Sequence, residues 1–450
     1  MSAPQGEAAM NAHPARPETG RVRNRVRVLQ RKLYRVAKAD SRRRFGALYD
    51  KVWRRDVLGE AVRRVIANQG SAGVDGQTIA ELKAYGVSKF IAELQAELRE
   101  KRYRPNRVRR CYIPKPDGRK RPLGIPTLKD RVVQMAANLV VGPIFEADFQ
   151  DGSYGFRPRR NAHDAHQVIR YRIRGGAKYV VDVDIQSYFD TIPHDKLMVL
   201  VQERISDKWV LRLVRGWLKA GVLEGGKVEE PSAGTPQGGV ISPLLANIYL
   251  NLVDRIWERR GYQSERGRWT GALVRYADDM VVLCRTPEAA RFYLRALRQL
   301  FGRMGLTLNE EKSRIATVEE GFDFLGLHFR EGWSRGGTPR RFALSFPCRK
   351  AMKSARRRIK DVIRRHPLSA TVGEVVGHTN EVLRGWGNYF RHSNASLHFK
   401  RVDLYALDQL RLFLRRKHQA KAMRFRRRYP MWYFYRVLGL HRLVGTVRRA

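Results

Sequence analysis

The chain has 450 residues, enough for about two to four domains, and 43% of them are hydrophobic, which excludes a wholly disordered protein. Lys and Arg number 89 against 43 Asp and Glu, a formal net charge of +46. Such an excess calls for a polyanionic partner, because each cation that neutralises a phosphate releases condensed counterions; it is spread along the chain and not confined to the single amphipathic helix of a peripheral membrane protein.

Residues 1–20 lack an apolar h-region, so they read as a disordered tail and not a secretory signal. Residues 21–66 are Arg-rich, with Val26, Leu29, Leu33 and Val36 at helical spacing. SAGVDG (71–76) is a turn cluster, and Ile91, Leu94 and Leu98 predict a helix over 87–100. Short strand-like runs follow, broken by PKPDGRKRPLG (114–124). The longest nearly apolar stretch, Val132 to Phe145, predicts a helix; it contains Gln134, Asn138, Gly142 and Pro143 and is too short to span a bilayer.

KYVVDVDI (178–185) is β-branched and alternating, the pattern of a buried strand. ALVRYADDMVVLCR (272–285) is two β-rich runs parted by Asp278-Asp279, which predicts a tight hairpin with both Asp at its tip. Residues 287–304 read as helix and 322–329 as strand. From about residue 345 the pattern is helical, with Met352, Ala355, Ile359, Val362 and Ile363 on one face. Residues 346–450 hold 26 Lys and Arg against 5 Asp and Glu, so less than a quarter of the chain carries nearly half of the excess charge. Cys111, Cys284 and Cys348 are odd in number and far apart. They build neither a disulfide framework nor a Cys-x-x-Cys zinc site, which points to a reducing compartment.

Asp184 ends a buried-looking strand, and Asp278 and Asp279 repel one another at a hairpin tip. A carboxylate in apolar surroundings is costly unless something compensates it. A divalent cation does so: Mg²⁺ takes oxygen ligands, and two such ions about 3.5–4 Å apart stabilise both oxygens of an in-line phosphoryl displacement.

Tyr-Ala-Asp-Asp (276–279) between apolar strands resembles the active-site box of reverse transcriptases. VVDVDIQSYFDTIPHDKL (180–197), SAGTPQGGVISPLLANIYLNLVD (232–254) and YIPKPDGRKRPLGIPTLKDRVVQ (112–134) resemble further motifs of that family. SYGFRPRRNAHDA (153–165), NQGSAGVDG (68–76) and RGWGNYF (384–390) are similar, more particularly, to group II intron reverse transcriptases, also called maturases. The likeness covers about 50–435, in order.

The resemblance implies an α+β right-hand polymerase: N-terminal extension, fingers and palm with an antiparallel sheet over 21–330, then an all-helical thumb and maturase region over 331–450. It implies RNA-directed DNA synthesis by two Mg²⁺ ions, in which a primer 3′-hydroxyl attacks the α-phosphate of a dNTP and pyrophosphate leaves. Asp184, Asp278 and Asp279 would be catalytic and, with Ile185, metal-binding. Asp182 and Asp190 are structural or solvent-facing, although alternation puts Asp182 on the face of Asp184. Phe189 would exclude a ribose 2′-hydroxyl. Lys115 and Arg121 flank a Pro-Asp-Gly turn suited to clamping the triphosphate. Gln237, in a Gly-rich segment that lets backbone approach closely, would sit near the templating pair, and Lys312 near the leaving pyrophosphate as a general acid. Arg424, Arg426, Arg427 and Arg428 would bind RNA, while the spacing of Trp386, Tyr389 and Phe390 suits a helix core.

The implied partners are group II intron RNA, template RNA, a DNA primer and dNTPs, with no membrane, in a bacterial cytoplasm and at the nucleoid during mobility. After Phe390 the sequence offers no cysteine and no clustered His, so a bacterial type lacking the nuclease domain is expected. The alternatives are a reverse transcriptase recruited to phage defence or CRISPR spacer acquisition, and a non-catalytic RNA chaperone.

Overall fold

The computed structural model describes residues 18–114, 118, 120–224, 227–229, 233–235, 238–262, 269–333, 341–419 and 429–448. The strands in chain order are β1 (Val108–Pro114), β2 (Lys120–Ile125), β3 (Tyr179–Val183), β4 (Val222–Glu224), β5 (Lys227–Glu229), β6 (Gly271–Tyr276), β7 (Asp279–Cys284), β8 (Arg314–Thr317), β9 (Phe322–Phe324), β10 (Leu327–Trp333) and β11 (Arg341–Pro347). They form three sheets, ordered β2-β1-β4-β5, β6-β7-β3-β8 and β11-β10-β9. Helices and sheets are both present, as an α+β chain requires. No helix among the described residues is long and apolar enough to cross a membrane.

The chain divides into two compact units. The first comprises residues 1–150, 186–255 and 302–306. Its helix Glu18–Ala39 begins inside the segment read as a tail, because the apolar stripe is reached from that turn; Val26, Leu29 and Leu33 are buried. Helix Leu128–Glu146 extends the apolar stretch at both ends. Thr127 caps it, its hydroxyl accepting the Asp130 N–H at 3.1 Å, and the buried Asp130 carboxylate accepts the Tyr103 hydroxyl at 2.6 Å. β1 and β2 form an antiparallel hairpin that takes in the Arg-Pro-Leu-Gly read as a break. Pro122 is tolerated because β2 is an edge strand.

The second unit comprises residues 151–185, 256–301 and 307–450. Its four-stranded sheet is antiparallel throughout. Val180, Val274, Val281 and Leu283 are fully buried in a core that continues into the C-terminal helices through Ile359, Val375, Phe399 and Leu410. Two expectations need correction here. The run 322–329 is not one strand: β9 and β10 form a two-residue hairpin turning at Leu325-Gly326, both with positive φ. Nor is 331–450 all-helical, because β10 reaches Trp333 and β11 pairs with it over seven residues. Helices begin at Arg349 and run Arg349–Arg365, Val372–Phe390 and Ser396–Lys417. Phe390 is buried, Trp386 packs between the Phe390 and Phe399 rings, and Tyr389 donates its hydroxyl to Leu325 O at 2.8 Å, so these aromatics are core, as their spacing suggested.

Candidate active site

Alternation along β3 buries Val181 and Val183 and leaves Asp182 and Asp184 half-buried on the other face. β3 pairs antiparallel with β7 up to Val183 opposite Met280. The ladder ends there, and Asp184 is the residue that follows β3 as Asp279 is the residue that opens β7. β6 and β7 join through Ala277 and Asp278 alone, with Tyr276 paired to Asp279. Asp278 therefore occupies the turn, while Asp279 is exposed and opens β7.

Asp184 is held by the loop before β8. Its N–H donates to Ser313 Oγ at 3.1 Å, and its carbonyl accepts the Asn309 N–H at 2.8 Å. Ile185 is buried and bridges to Leu308. Lys312 places Nζ 3.1 Å from Asp184 Oδ2. An ammonium thus lies against the carboxylate that the sequence assigns to a metal. Among the described residues no three His, Cys, Asp or Glu side chains are gathered into a metal-holding group. The donor chemistry nonetheless suits a hard divalent cation: aspartates at one sheet end, oxygen donors only. Burial pushes the Asp182 carboxyl up to about 6, with Asp184 reinforcing the shift and Arg314, its partner across β8, opposing it.

Behind the turn lies a group that the sequence did not mark. Arg275 is fully buried; it donates from Nη1 to Ala277 O at 2.9 Å and from Nη2 to Ser153 Oγ at 2.7 Å. The quoted SYGF motif was the one signal that could have found it.

The remaining expected residues belong to the first unit or lie outside the described residues. Phe189 is half-buried in the short helix Tyr188–Thr191, its carbonyl accepting the Thr235 N–H at 2.7 Å. Arg121 is exposed on β2, paired with Ile113. Lys115, Gln237, Arg424, Arg426, Arg427 and Arg428 lie outside the described residues.

Two basic cavities were not foreseen. One in the second unit, about 850 Å³, is lined by Arg314, Lys353, Arg356 and Arg401. Its lining includes Phe346, on which the His398 ring is stacked at 5.0 Å and the His328 ring is tilted at 5.1 Å. One in the first unit, about 790 Å³, is lined by Arg25, Lys32 and Arg44 over Leu29 and Leu33.

Residues 113–329 match the family described as reverse transcriptase (RNA-dependent DNA polymerase), and residues 352–432 match the group II intron maturase-specific domain. The chain is 37% identical over 352 residues to protein YkfC of Escherichia coli (strain K12), covering 69% of this chain and 90% of that protein. It is 39% identical over 214 residues to the group II intron-encoded protein LtrA of Lactococcus lactis subsp. cremoris, covering 47% of this chain and 35% of LtrA. Among solved structures, a chain of a partial Cas6-RT-Cas1–Cas2 complex aligns with a TM-score of 0.35 and 21% identity, over 57% of this chain and 42% of that one.

Proposed function

The chain belongs to the group II intron-encoded reverse transcriptases with a maturase domain, whose enzyme class is RNA-directed DNA polymerase, and on that premise we propose that it extends a primer along template RNA at Asp184, Asp278 and Asp279 while its helical C-terminal part holds intron RNA for splicing and mobility. The observation that supports this reading is the β3–β7 ladder, which ends at Val183 opposite Met280 and so leaves Asp184 next after one strand end and Asp279 at the start of the other, with Asp278 one residue away in the turn. The sheet β6-β7-β3-β8 then acts as the palm, hairpin β1–β2 as part of the fingers, and helix Arg349–Arg365 as the thumb.

In the proposed reaction the primer 3′-hydroxyl loses its proton to water and attacks the α-phosphate of a dNTP, the bond to the β-phosphate oxygen breaks, and pyrophosphate leaves. Two Mg²⁺ ions bound by the three aspartates and by Ile185 would stabilise the attacking and the leaving oxygen. Ser313 and Asn309 hold the Asp184 main chain, and so fix where its carboxylate starts. Lys312 pairs with the Asp184 carboxylate and would give a proton to departing pyrophosphate. Arg121 and Lys115 would take the triphosphate, Phe189 the sugar edge, and Gln237 the templating pair.

The test is extension of oligo-dT on poly-rA with Mg²⁺. Asp278→Asn or Asp279→Ala should abolish it, while intron RNA binding, which uses the basic surfaces, persists. Either variant polymerising above about a tenth of the wild-type rate, a factor worth about 1.4 kcal/mol in the barrier, would refute the assignment.

A further inference from the structure

The SYGF segment has no part in the chemistry above, yet it lies along the catalytic hairpin. The Arg275 N–H donates to Gly152 O and the Tyr154 N–H donates to Arg275 O, each at 2.8 Å. Ser153 is thereby bridged in parallel to Arg275, and residues 152–154 form an added edge on β6. The Arg275 guanidinium ties this edge to the turn, bonding Ser153 Oγ with one nitrogen and Ala277 O with another.

The turn needs holding. Ala277 sits at φ +57. A two-residue hairpin loop with positive φ at its first central position is glycine's place, and a side chain there is strained. Gly155 presses on the same residue: a Cβ at Gly155 would overlap Ala277 N and the Tyr276 carbonyl carbon. In a planar trans peptide the C=O and N–H point to opposite sides. Fixing Ala277 O on the buried guanidinium therefore turns the Asp278 N–H away from it. A buried cation is expensive in apolar surroundings, and an aliphatic side chain would fill a core strand at less cost. What an aliphatic side chain lacks is a fork reaching two acceptors at fixed angles.

We propose that Arg275, braced by Ser153 and Gly155, is a positioning residue that holds the strained Ala277–Asp278 turn in one conformation, so that Asp278 and Asp279 keep a single geometry. The inference rests on the polymerase reading of those aspartates. The guanidinium touches no reacting atom; it acts through the turn.

The test uses the full chain with Arg275→Lys, which keeps the charge but loses the fork, and Ser153→Ala, which removes one acceptor and leaves the guanidinium in place. Arg275→Lys should lower kcat at saturating dNTP about tenfold or more, with the template–primer dissociation constant changed less than about twofold. Adding Ala277→Gly, which makes positive φ intrinsically acceptable, should restore a large part of the lost kcat relative to Ala277→Gly alone. Amide hydrogen exchange on the metal-free protein gives a second readout: peptides covering 276–280 should exchange about tenfold faster in both variants, while those covering β3 do not change. Unaltered exchange at 276–280 in folded Arg275→Lys, absence of rescue by Ala277→Gly, or a kcat loss matched by lost template–primer affinity would each overturn the proposal. Should Arg275→Lys fail to fold, exchange and kcat in Ser153→Ala decide it. A wild-type chain that extends no primer overturns the polymerase reading instead, and the exchange result still decides whether Arg275 holds the turn.

Discussion

Phe189 shows how one side chain depends on its backbone neighbours. Gly234 adopts φ +93, and a Cβ there would overlap the Asp190 main chain. Gly234 thus lies directly on the short helix that carries Phe189, and Thr235 donates its N–H to the Phe189 carbonyl. If Phe189 excludes a ribose 2′-hydroxyl, as proposed, its bulk is what does so. Shrinking it to Val should admit ribonucleotides and lower the dNTP-to-rNTP incorporation ratio about tenfold or more, the worth of roughly 1.4 kcal/mol of steric discrimination. Single-nucleotide incorporation on one template measures the ratio; no change would make Phe189 an ordinary core residue. The aspartates were legible in the sequence because a carboxylate in a β-branched run, and a pair between two such runs, contradict their surroundings. Arg275 was not legible. In VRYADD a lone Arg reads as a solvated alternation of the strand, and only the fold shows that strand buried on both faces, with Ser153, 122 residues away, as its partner. Ser313 and Asn309 were hidden for the same reason: a polar loop residue declares no target.

The elements were legible where their period was long and their punctuation conventional. Helix Arg349–Arg365 buries Ala355, Ile359 and Ile363, the face its spacing predicted, and Thr371 opens the next helix with a capping box to Glu374. Hairpin β6–β7 was legible from its two β-rich runs, but its turn is Ala277-Asp278 and not Asp278-Asp279, because Asp279 already pairs with Tyr276. Hairpin β9–β10 was missed because Phe-Asp-Phe-Leu-Gly-Leu-His-Phe has no Asn-Gly or Asp-Gly at its centre. Its turn is of the kind in which both central residues have positive φ, and Leu325 fills the first place at φ +46. The hydroxyl of Tyr389 binds the Leu325 carbonyl, and a tertiary contact of that kind overrides local propensity. Gly326, at φ +81, is the second central residue, with Phe390 Cζ 3.6 Å from where a Cβ would stand. Space is therefore adequate, and the cost of Gly326→Ala is conformational. Urea unfolding of that variant should show about 1–2 kcal/mol of lost stability, the cost of one residue in the left-handed region. A loss below about 0.5 kcal/mol would mean that the hairpin relaxes to another turn.

Across the whole molecule the excess of positive charge has to meet its counter-charge somewhere, and two cavities offer different settings for it. That of the first unit is lined by Leu29, Leu33 and the buried Phe45, whereas that of the second has Phe346 stacked on His398 among its cations. Unpaired bases stack on aromatic and imidazole rings, so the second setting suits single-stranded RNA. The Arg424–Arg428 run is a third source of charge, known from sequence alone. The three can be separated by salt. If six or more phosphates are contacted, intron RNA affinity should fall about 10³-fold or more between 50 and 200 mM salt. Each phosphate contact contributes about 0.7 to 0.9 to the slope of log K against log salt. Replacing Lys353, Arg356 and Arg401 together by Gln should therefore reduce the slope by about 2 to 3. The triple change Arg426, Arg427 and Arg428 to Gln, and the change Arg25, Lys32 and Arg44 to Gln, are measured beside it. Filter binding at four salt concentrations gives each slope. A slope that no triple change reduces would show that intron RNA is held without these cations, and a wild-type affinity indifferent to salt would remove the polyanion reading of the net charge altogether.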